Sequence, residues 1–108
     1  MKQNSVQLIG YVGADPVIKV LQSGSKKVNI RVATHYKLKN GQEGKKYGTT
    51  WHNVIAWDSG AEYAERSFVK GSRILVNGNL VYRTYPDAHN HIRYITEIRA
   101  SELMNLDR

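Results

Sequence analysis

T-T-W-H-N-V-I-A-W, residues 49–57, is the stretch that decides how this chain folds. It is rich in β-branched and aromatic residues, and strand side chains alternate with a period of two, so Trp51, Asn53, Ile55 and Trp57 share one face. Two indoles lie on that face, about 20 Å apart along an extended strand. Such a face can be a stacking platform for unpaired bases. It can equally be half of a buried core.

Reading outward toward the C-terminus, Gly60 to Val69 places Ala61, Ala64 and Phe68 at helix-compatible positions, with Asp58 and Ser59 available for capping and Lys70-Gly71 as the stop. A fourth strand follows from Arg73 to Tyr85, interrupted by Gly78, where a bulge or barrel bend is expected. The loop Pro86 to His91 leads to a last strand from Ile92 to about Ala100.

Toward the N-terminus, Lys37 to Gly48 holds three glycines and four lysines without apolar periodicity, and is expected to be a loop or protruding hairpin. Before it, Val28, Ile30 and Val32 alternate with Asn29, Arg31 and Ala33 in a second strand that runs to Tyr36 or Leu38. The first strand is Val6 to Val12, followed by a turn at Gly13 to Pro16, an extended Val17 to Leu21 and a turn at Ser23-Gly24-Ser25. The order β-β-β-α-β-β fits an all-β OB-fold, a five-stranded Greek-key barrel with one short helix between strands 3 and 4. With 108 residues the chain is expected to form one such domain, 1–108.

Sixteen Lys and Arg against nine Asp and Glu leave a formal charge of +7, which favours a polyanionic partner. There is no cysteine, so disulfides and thiolate metal sites are excluded. No P-loop and no G-x-S-x-G occurs, and His89-Asn90-His91, with Asp87 as its only nearby carboxylate, is a poor metal site. The expectation is a binding protein, not an enzyme, with no metal and no cofactor. The first apolar run is broken by Gln7 and Gly10, and no segment approaches the roughly 18 apolar residues of a membrane span. The chain therefore reads as soluble, with no membrane partner, and cytoplasmic.

These segments resemble the bacterial-type single-stranded DNA-binding protein family over nearly the whole chain. L-I-G-Y-V-G-A-D-P at Leu8 to Pro16 is similar to the family's start, with Tyr11 where Asn is usual; V-N-I-R-V-A-T at Val28 to Thr34 is similar to its second strand. T-W-H-N-V-I-A-W matches its T-E-W-H-x-V block, with Thr50 in place of Glu. A-E-Y-A, then V-K-G-S-R-I-L-V-N-G-N-L, then R-Y-I-T-E-I resemble the helix and strands that follow. The resemblance implies largely sequence-independent binding of single-stranded DNA by an OB-fold homotetramer in DNA replication, recombination and repair, and hence a nucleoid association. It puts aromatic stacking on Trp51, Trp57 and Tyr85, with Tyr36 near another stacking position, and associates His52 with subunit contacts.

Phosphates call for cations along the strand's path. Lys37, Lys39, Lys45 and Lys46 lie in the loop best able to close over a strand, and Lys70, Arg73, Arg83 and Arg93 lie on or beside sheet segments. Arg83 is two residues from Tyr85 and shares its face. The competing reading keeps the fold and changes the task, to a replication-restart or RNA-binding OB-fold. Aromatic-rich K-G-F-G-F motifs are missing, which argues against a cold-shock RNA binder. Family members recruit other enzymes through an acidic C-terminal tip. The chain ends E-L-M-N-L-D-R after its last strand, so tail-mediated recruitment is not expected of it.

Overall fold

Alternation of side chains builds the barrel. Val28, Ile30 and Val32 of one strand, Val54 and Ala56 of the next, and Ile74, Val76 and Ile98 further on form a single buried cluster, while alternate residues such as Asn29, Arg31, Asn53 and Arg99 are exposed. A computed structural model of the chain describes residues 3–39, 44 and 46–107. Its elements are β1 (Val6–Val12), β2 (Ile18–Val20), β3 (Lys26–Lys37), β4 (Tyr47–Trp57), α1 (Ser59–Ser67), β5 (Arg73–Pro86) and β6 (Ile92–Asn105).

The sheet runs β1-β5-β6-β4-β3-β2, and an additional pairing of β1 with β3 closes five strands into a ring. All pairings are antiparallel except β4 with β6, where Val54 and Ile55 lie beside Ile98 and Arg99. The three-residue β2 hangs on the free edge of β3 and takes no part in the ring. This is the five-stranded OB-fold with one helix between its third and fourth long strands. The closing seam is short: only Tyr11↔Ala33 and Val12↔Val32 pair. Gly10 permits it, because a Cβ there would collide with the carbonyl oxygen of Ala33.

α1 lies across the end of the barrel where β3 begins and β4 ends, burying Ala61 and Ala64 against it. It ends earlier than the sequence predicts. Phe68 leaves helical geometry (φ −120°, ψ 145°) and turns into the core, and Gly71 takes up a positive φ of 91° in the turn that starts β5. Asp58 precedes the helix without capping it through its side chain; its carboxylate accepts the Lys26 N–H at 3.0 Å and ties β3 to the helix start.

Two strands outrun their predicted limits. β4 begins at Tyr47 because the β3–β4 ladder continues to Lys37↔Tyr47, beyond the barrel, where both faces are largely exposed and burial imposes no alternation. β6 continues to Asn105 because a bulge between Asn77 and Gly78 leaves Ser101 unpaired and resets the alternation after Ala100. The Ser101 hydroxyl donates to the Asn77 carbonyl at 3.1 Å and holds the irregularity in place.

Candidate nucleic-acid interface

On β4, His52, Val54 and Ala56 point toward the barrel, so Trp51, Asn53, Ile55 and Trp57 form the outer face. The antiparallel register lays Lys27 opposite Trp57, Asn29 opposite Ile55, Arg31 opposite Asn53 and Ala33 opposite Trp51. Two cations therefore meet the two indoles. Lys27 Nζ is 5.6 Å from the Trp57 ring centroid and the Arg31 guanidinium carbon is 5.1 Å from that of Trp51. Trp51 is half exposed, at 50%. Its ring lies against Gly13, where a Cβ would come within 2.6 Å of Trp51 Cζ3.

Neither Lys27 nor Arg31 is among the cations singled out from the sequence. The signal was present: if Val28, Ile30 and Val32 face the core, Lys27 and Arg31 must face out. Only the hairpin register shows that they face out beside the tryptophans.

β5 and β6 extend the same face. Their register after the bulge pairs Val81 with Glu97, Arg83 with Ile95 and Tyr85 with Arg93, and Tyr85 is 44% exposed. Between this ladder and Trp57 lies a shallow depression of about 210 Å³, floored by buried Ile55 and bordered by Lys27, Val81, Arg83 and Arg99. Trp57, Arg83, Tyr85 and Arg93 are thus brought onto one surface.

Two of those cations are already engaged. Arg83 donates from Nε and Nη2 to the two Glu97 oxygens at 2.8 and 3.2 Å, and that hydrogen-bonded carboxylate holds the guanidinium further in its charged form. Glu97 is only 8% exposed. Arg93 Nε donates to Asp87 at 2.8 Å, while the other Asp87 oxygen accepts the N–H groups of His89 and His91 at 2.9 and 3.0 Å. These backbone hydrogen bonds, aided by Arg93, hold the Asp87 carboxyl below its ordinary 3.8.

A test of the Arg83 pairing follows. Glu97→Gln is expected to release Arg83 toward solvent, tighten binding of a polyanionic strand at low salt and steepen the log affinity against log salt slope by about 0.7 for one more phosphate. An unchanged slope would show that Arg83 does not reach the strand.

The remaining expected residues divide. Lys37, Lys39 and Lys46 are exposed at the far end of the β3–β4 hairpin, where the Leu38 N–H donates to the Lys46 carbonyl at 2.9 Å. Lys45 lies outside the described residues. Tyr36 stands on the opposite side of the hairpin ribbon from Trp51, with its ring against Gly48. Lys70 and Arg73 are at the other end of the barrel face from Tyr85; Arg73 and Tyr85 are twelve residues apart on β5, about 40 Å of extended strand. His52 turns inward to Thr34, Nε2 to Oγ1 at 2.8 Å, and burial lowers its pKa from the ordinary 6.5, favouring the neutral imidazole. Among the described residues no group of three or more His, Asp or Glu is arranged to hold a metal ion.

Comparison with known proteins places this geometry in context. A model of the single-strand binding protein family matches residues 3–106. The chain is 40% identical over 106 residues to single-stranded DNA-binding protein 1 of Xylella fastidiosa (strain 9a5c), covering 97% of this chain and 78% of that one. It is 38% identical over 101 residues to the single-stranded DNA-binding protein of Bacteroides thetaiotaomicron, covering 91% of this chain and 62% of that one. Among solved structures it is similar to Plasmodium falciparum SSB in complex with ssDNA, with a TM-score of 0.85 and 31% identity over 99% of this chain and 97% of the other.

Proposed function

The chain belongs to the single-strand binding protein family, and from that premise we propose that it binds single-stranded DNA along the outer face of its barrel. Bases stack on Trp51, Trp57 and Tyr85, and phosphates meet the cations beside them. The observation that carries this reading is the pairing of each outward indole with a cation, Lys27 at Trp57 and Arg31 at Trp51. A nucleotide presents a π-face and a negative charge within a few ångströms, and the surface presents the complement of both. Every base has a π-face, so such contacts bind without reading sequence. The family's members are binding proteins, not enzymes.

The cations offered to phosphate are Lys27, Arg31, Lys37, Lys39, Lys46, Lys70 and Arg73, with Arg83 and Arg93 restrained by their carboxylate partners. We further propose that residues 1–108 act as one OB-fold binding domain, that four copies assemble into a homotetramer, and that the protein works on the nucleoid in the cytoplasm during replication, recombination and repair. No described helix is long and apolar enough to cross a membrane.

The test is a titration of intrinsic tryptophan fluorescence with oligo-dT at two salt concentrations, with light scattering for subunit number. Quenching to a fixed stoichiometry is expected, with affinity falling by a log–log slope of about −0.7 per phosphate neutralised. Unchanged fluorescence and no stoichiometric complex at low salt overturn the reading. Tighter binding of oligo-U than of oligo-dT would shift it to RNA.

A further inference from the structure

We infer that Tyr11 is an additional base-stacking position, extending the nucleic-acid face across the barrel seam from Trp51 onto β1. This rests on the single-stranded DNA reading above and adds a contact to it. Along β1, Val12 faces the core and Gln7, Ile9 and Tyr11 face out. Tyr11 is 44% exposed, a large ring on the surface of a basic protein.

Its place in the ladders gives that exposure a purpose. Tyr11 pairs with Ala33, and Ala33 pairs with Trp51, so the two rings lie in one row on adjacent strands with a small side chain between them. Two interstrand spacings set their backbones about 10 Å apart. The row is flanked by cations. Arg31 covers Trp51 on one side, and Arg73 is Tyr11's register partner on β5. Among the described residues no salt bridge holds either arginine.

The His35 imidazole, 6.1 Å from the Tyr11 ring and tilted by 45°, adds a third flat surface. Aromatic, cation, aromatic and cation around a small-residue floor repeat the combination found at Trp57 with Lys27. The ligand this suits is an unpaired nucleobase with its phosphate, one nucleotide beyond the one held by Trp51.

The test compares wild type with Tyr11→Asn and Tyr11→Phe, using anisotropy of a labelled oligo-dT, sedimentation for subunit mass, and photocross-linking to an oligo carrying 5-iodouracil. Expected are about five- to tenfold weaker binding for Tyr11→Asn, the low end of the stacking range, wild-type affinity for Tyr11→Phe, an unchanged mass, and a covalent adduct on the peptide containing Tyr11. Equal affinity of Tyr11→Asn and wild type overturns the inference. So does weakening accompanied by a change of mass, which would make Tyr11 a subunit contact. Wild type that binds no oligo overturns the underlying reading as well; wild type that binds beside an indifferent Tyr11→Asn overturns this inference alone.

Discussion

Trp51→Ala combined with Trp57→Ala is expected to weaken oligo-dT binding by about 2 to 6 kcal/mol, at least thirtyfold, while the barrel stays folded. The magnitude comes from two stacking contacts at about 1 to 3 kcal/mol each. The indoles are far enough apart on β4 to serve different nucleotides, so the single losses should add within about 0.5 kcal/mol. The fold should tolerate the change because both rings lie outside the buried cluster. These are the only two tryptophans, so the double variant has no intrinsic indole signal and must be followed through a labelled oligo. Affinity within a factor of two of wild type, with circular dichroism unchanged, would remove the stacking assignment. A collapse of the circular dichroism would show that the rings support the fold.

The second large effect concerns stability. Phe68→Ala is expected to cost about 3 to 5 kcal/mol, a large share of the 5 to 15 kcal/mol typical of a whole domain. Phe68 is the largest of the fully buried side chains, and it sits where the chain leaves α1. Its N–H donates to the Ala64 carbonyl at 3.0 Å, and its ring meets that of Tyr63 edge-on with centroids 5.8 Å apart. Truncation empties the core under the helix and removes an aromatic contact together. A urea or thermal melt should show a melting temperature lower by roughly 10 °C or more, with Phe68→Leu losing much less. A shift of a degree or two would mean that the helix and core collapse into the space.

Much of the architecture was legible because burial enforces a period of two. That Trp51, Asn53, Ile55 and Trp57 share one face of β4 was readable from the first stretch, though not that this face points outward, and the order of elements followed from five such patterns and one helix. Legibility failed where that constraint lapses. The hairpin beyond the barrel is largely exposed on both faces, so the start of β4 at Tyr47 was hidden; the unpaired Ser101 broke the rhythm of β6 and hid the end of its ladder.

The cations were harder than the aromatics for a related reason. Charge is visible in a sequence but its partner is not. Arg83 finds Glu97 across the β5–β6 ladder, and Arg93 reaches back to Asp87 around the tip, so two conspicuous arginines are restrained. Lys27 and Arg31, inconspicuous among the alternating residues of β3, take the positions beside the indoles.

The cations over the tryptophans also matter when no strand is bound. Bare aromatic patches promote self-association in solution, and the proposed function requires two indoles to stay available at the surface between encounters. A guanidinium lies over one and an ammonium near the other, setting a charge beside each ring. On the proposed function, engagement would be a substitution, with a base taking the ring and the displaced cation meeting the phosphate. Release of the strand would then return each ring to the cation beside it, Lys27 at Trp57 and Arg31 at Trp51.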